Sequence, residues 1–133
     1  MGFSAYLGSA LAGIFVGTPY TWPTTVYLAL FTVQPSSGAG GTEASYTGYA
    51  RVALAFNTTN FTQTANNIKN AAQVNFPTNT GAAQTIVGYG LFDASTGGNL
   101  LLDNTATSSQ TINTNSPAYV PAGGLSETFV VSP

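Results

Sequence analysis

The sequence predicts a mainly β domain, an antiparallel β-sandwich or jelly-roll-like barrel of about seven or eight short strands behind one N-terminal amphipathic helix. Three observations carry this. Short runs rich in Val, Ile, Leu, Tyr and Phe alternate in hydropathy along most of the chain. Clusters of Gly, Asn, Pro and Ser separate those runs. Only at the N-terminus do apolar residues recur at helical steps. With 133 residues, residues 1-133 read as a single domain able to bury a core without a metal or disulfide.

Residues 3-16 form the predicted helix, with Phe3, Leu7, Ala10, Leu11, Ile14 and Phe15 at three- and four-residue steps and Tyr6 beside them. Gly17 ends it. Gly8 and Gly13 each weaken it by about 1 kcal/mol, so docking of its apolar face must supply the stability. That face covers either the chain's own sheet or a neighbouring subunit. The run Met1 to Val16 has no basic residue ahead of it and is too short to span a bilayer, so it is expected to stay in the mature protein rather than act as a signal peptide.

The β-domain is expected over residues 25-131. Thr18 to Pro23 is extended, because each proline disfavours helix in the residue before it. Its Trp22 suits an interface or the rim of the core. Thr25 to Val33 is apolar on both faces and should be a central strand. Residues 34-47 form the expected flexible loop, since the Gly- and Ser-rich run that includes Gly40 and Gly41 has little apolar surface to order it. Tyr49 to Phe56 and Ala72 to Phe76 are further strands. Asn57 to Asn70 reads as a loop or a short edge strand.

The clearest signal is a hairpin over Thr85 to Asp103. Its Gly97-Gly98-Asn99 can supply positive φ, and Asp93 sits where an aspartate accepts backbone N–H bonds. Glycines 88 and 90, inside the strand, mark a bulge or a close backbone approach. Thr105 to Asn115 reads as an edge strand, Ser116 to Gly124 as a turn or connector, and Leu125, Phe129 and Val131 as the last strand.

The composition excludes several functions. Six side chains carry formal charge, two basic and four acidic. Two cations cannot neutralise a nucleic-acid backbone or hold an anionic membrane, so neither is an expected partner. His and Cys are absent, which removes the usual general base, the thiol nucleophile and most transition-metal sites. Asp93 and Asp103 are the sole candidate carboxylate pair, and both read better as structural residues. No enzyme activity, catalytic residue, cofactor, metal or small-molecule substrate is therefore expected. Arg51 should pair with one of the few carboxylates, in its own chain or across a subunit contact. A surface of Thr, Asn and Gly with so little charge suits a subunit packed in an assembly, or else a neutral β-domain.

Several segments together resemble a known family: Gly2-Phe3-Ser4-Ala5-Tyr6-Leu7, Thr25 to Leu30, Gly48-Tyr49-Ala50-Arg51-Val52, Val74 to Thr78, and above all Gly90 to Leu101. The chain is similar over nearly its whole length to small bacteriophage virion proteins described as tail fibre, head decoration or capsid cement proteins. That resemblance implies a non-enzymatic β-domain that oligomerises on the particle, commonly as a homotrimer. It is expected to act as capsid cement on the outer surface of the head, with the major capsid protein as partner. A tail fibre or other tail component is the alternative, and a carbohydrate-binding module with Trp22, Tyr20 or Tyr119 as stacking platform is a third reading. Expected contact residues are Phe3, Tyr6, Leu7, Leu11, Phe15, Trp22, Arg51, Gly40 and Gly41. The chain lacks the charged residues that many members carry in residues 34-47.

Overall fold

The computed structural model describes residues 2–129 and is mainly β, with one helix. The strands are β1 (Gly2–Phe3), β2 (Thr25–Val33), β3 (Thr42–Glu43), β4 (Val52–Ala55), β5 (Phe61–Thr64), β6 (Asn67–Asn70), β7 (Val74–Asn79), β8 (Gln84–Phe92), β9 (Leu100–Ile112), β10 (Ser116–Val120) and β11 (Ser126–Thr128). Helix α1 spans Ala5–Phe15. All pairings are antiparallel. The main sheet has the order β1-β9-β8-β2-β3, with β4 also on β2, and β7 pairs with β10, while β5, β6 and β11 form a third sheet.

The expected central strand is central. Within β2, Val26, Leu28, Ala29, Leu30 and Phe31 are all buried, which follows from apolar residues on both faces. One core cluster joins β2, β8 and β9 to β7, β10 and Leu7 of α1. The expected hairpin is the β8–β9 pair. Gly97 and Gly98 have φ of 59° and 70°. Asp93 accepts hydrogen bonds from the Asn99 backbone N–H at 2.7 Å and from its side-chain amide at 2.8 Å.

The glycines of β8 are sites of close approach within the chain. A Cβ on Gly90 would lie 2.8 Å from both Phe31 and Leu100, and one on Gly88 would overlap the side-chain amide of Gln34. The register also shifts at Gly88. Ile86 faces Gln110 and Gly88 faces Thr105, so β9 carries extra residues there.

Several boundaries differ from the sequence reading. The helix begins at Ala5, and Phe3 belongs to β1, which pairs with Leu102 of β9. There are eleven described strands rather than about seven or eight, because several, such as β3, β5 and β6, are short and mostly polar and carry no hydropathy alternation. Asn57 to Asn70 contains the β5–β6 hairpin. Ser116 to Val120 is a strand despite Pro117, since Pro77 and Pro117 fall within the same register shift between β7 and β10, where a missing N–H costs no ladder bond. Asp103 lies inside β9 and accepts a bond from the Gln34 amide at 2.9 Å. The hairpin expected to end at Asp103 therefore runs on to Ile112. Val131 lies outside the described residues.

Candidate assembly surface

Helix α1 is capped by Ser4, whose Oγ accepts from the Leu7 N–H at 3.0 Å and which is itself buried. The Ser4 N–H donates to the Leu101 carbonyl and the Ala5 N–H to the Gly38 carbonyl, so the helix start is fixed to β9 and to residues 34–47. Gly17, with φ of 86°, turns the chain away at the other end. Leu7 is 1% exposed and Leu11 is half-buried against the core. The helix thus covers its own domain with one face. Leu7 belongs to that core, which removes it as a contact residue.

The other face is apolar and open. Phe15 is 92% exposed and Val16 83%, with Ile14, Tyr6 and Phe3 partly exposed nearby in sequence. Phe3 packs on Phe129 with ring centroids 5.5 Å apart. A chain of aromatic contacts continues from Tyr6 to Tyr20, Trp22, Phe56 and Phe61. Tyr20 and Trp22 meet edge to face at 84°, so these rings do not make one flat stacking platform. Apolar surface of this kind commonly marks an interaction site.

Tyr6 and Gly40 line one recess of about 300 Å³, together with Gly98, Asn99 and Leu100 of the hairpin turn. Gly40 is exposed with open space around its Cα, whereas Gly41 backs against Val33 and Pro35. Residues 34–47, expected as a loop, carry the turn bridged by Ser36 and Ala39, β3, and buried Ala44 and Tyr46. The Tyr46 hydroxyl donates to the Pro77 carbonyl, and Gln84 accepts from the Ser45 and Tyr46 N–H groups.

Arg51 has its partners inside the chain. It pairs with both oxygens of Glu43, donates through Nη1 to the Ala94 and Gly97 carbonyls at 2.8 Å each, and lies 3.6 Å from the centre of the Phe92 ring. The Tyr49 hydroxyl donates to Glu43 and accepts from the Leu30 N–H. Burial opposes charge on Glu43, but hydrogen bonds from Arg51 and Tyr49 and the Arg51 charge win and hold its carboxyl below the ordinary value. Burial, with the neighbouring Glu43, pushes the Tyr49 phenol well up. This cluster braces the β8–β9 turn against β3. It is not available as an intersubunit pair.

Chemistry is otherwise sparse. No group of acidic side chains that could hold a metal occurs among the described residues. Among them, no helix is long and apolar enough to cross a membrane.

A mainly β chain with a capped helix, an open apolar face and a charge pair used for bracing has the build of a structural module. The family of the podophage GP4 fiber I protein gp80 matches residues 2–128, and the chain belongs to it. It is therefore a bacteriophage virion structural protein. Comparison with curated proteins finds no match. A fiber family fits the tail-fibre reading better than the expected capsid cement.

Proposed function

We propose that the chain is a non-enzymatic structural subunit of the phage tail fibre, and that it associates as a homotrimer through the open face of α1. The observation that carries the location is the family match, which spans nearly all of the chain and is to a fiber protein. Self-association is supported by Phe15 and Val16, large apolar groups left almost wholly in solvent. Identical copies can meet there without charge repulsion, because α1 carries no acidic or basic residue. Phe3, Tyr6 and Trp22 would flank the contact, while Gly40 lies at the recess beside the helix start.

Copy number in purified particles tests the location. Quantitative staining should give a ratio to the major capsid protein that matches the symmetry of the tail. A ratio approaching that of the shell lattice would return the protein to the head, with the major capsid protein as its partner. Sedimentation of the purified protein tests the trimer. A monomer at all concentrations would reject association through α1.

A further inference from the structure

A ring of three identical subunits is built from heterologous contacts, in which one patch of each copy meets a different patch of the next. Helix α1 carries two candidate patches on opposite flanks. Phe15, its last residue, stands 92% exposed. Tyr6 lies about two and a half helical turns before it, on the other flank. Beside Tyr6 is the recess of about 300 Å³, walled by Ala5, Gly38, Ala39 and Gly98, with the half-buried ring of Phe92 in its lining. Ala5 and Ala39 are exposed, so its mouth is open to solvent.

We infer that this recess receives Phe15 of a second copy, so that subunits join helix end to helix start. The contact presupposes association through α1. A cavity of about 150 Å³ already admits a benzene ring, and this recess exceeds that. Its lining holds no charged residue, so a phenyl ring enters without stranding a charge. Electrostatics favour the same pairing. Helix α1 has no acidic residue in its first turn and no basic residue in its last, which leaves both poles of its dipole without a charged side chain to offset them. Joining end to start brings the partly negative carbonyls of one helix toward the partly positive start of the next. Pairing Phe15 with Phe15 across a twofold axis would instead bring like poles together and leave the recess empty.

Sedimentation velocity of the full chain tests this with complementary variants. Phe15→Ser removes the ring and keeps the recess, whereas Ala39→Trp fills the recess and keeps the ring. Ala39 is chosen over Gly40, whose φ of 74° disfavours any side chain. Each variant alone is expected to weaken self-association about tenfold or more. An equimolar mixture should form a heterodimer that neither solution contains, because one intact contact is restored. Ala5→Trp fills the recess from the helix side and keeps the test open should Ala39→Trp disturb the fold, which circular dichroism checks. Filled variants that associate like the parent, or a mixture that stays monomeric, would overturn the inference. Association through α1 would survive that result if Phe15→Ser still weakened it. A parent that is monomeric at every concentration would remove both readings.

Discussion

Arg51 meets Glu43 through two hydrogen bonds, Nε to Oε1 at 2.8 Å and Nη2 to Oε2 at 2.7 Å, with the Arg51 side chain only 7% exposed. Planar bidentate geometry is what an arginine provides and a lysine does not. Through it, two of the chain's six charged side chains brace the β8–β9 turn instead of serving a partner.

Breaking that brace should cost stability. Arg51→Ala leaves Glu43 half-buried beside Tyr49 and removes the donors to the Ala94 and Gly97 carbonyls. A loss of about 3 kcal/mol is expected, read as a lower urea midpoint. Arg51→Lys should recover little of it. A full recovery would show that charge alone, not the fork, holds the turn.

The pair also sets a pH dependence. Glu43 has a folded value below its ordinary 4.5, so its contribution is complete above that value and is lost as pH falls through the lower folded one. Thermal midpoints should therefore drop on acidification below about pH 4.5, more steeply than in Glu43→Gln. Equal slopes in the two proteins would assign the acid sensitivity to another carboxylate.

Glycine substitutions should act in opposite directions by position. Gly90→Ala places a methyl 2.8 Å from Phe31 and Leu100, an overpacking expected to cost about 1–3 kcal/mol. Gly8→Ala in α1 meets nothing within 4 Å and should stabilise by up to about 1 kcal/mol. Differential scanning calorimetry reads both. A destabilised Gly8→Ala would mean that the helix surface is already covered in the assembled protein.

If the chain associates as proposed, the two faces of α1 separate folding from association. Leu7→Ala opens a cavity in the core and should cost about 2–5 kcal/mol. Phe15→Ser should leave the unfolding of the monomer nearly unchanged while shifting sedimentation toward a smaller species. If Phe15→Ser sediments like the parent protein, association runs through another surface.

The parts of the fold that were legible in the sequence are those where one residue type has one physical use. The apolar run of β2 announces a strand buried on both sides, and Gly97 and Gly98 announce a turn with positive φ. The sheet of β5, β6 and β11 was not legible, because side-chain amides rather than an apolar pattern tie β6 to its surroundings. The buried Asn70 donates to the Ala72 and Pro121 carbonyls and accepts from the Leu125 N–H, and Asn67 bonds Ser126, Glu127 and Thr128. In an Asn-rich chain nothing local distinguishes these from solvent-facing amides. On α1, helical periodicity found the apolar residues but could not say which face the domain itself would use. That depended on β9, which takes up Leu7 and leaves Phe15 outside.

Antibody labelling of intact particles addresses the central claim most directly. Label confined to the tail is the predicted result for a fibre subunit. Uniform label over the head, with none at the tail, would contradict it.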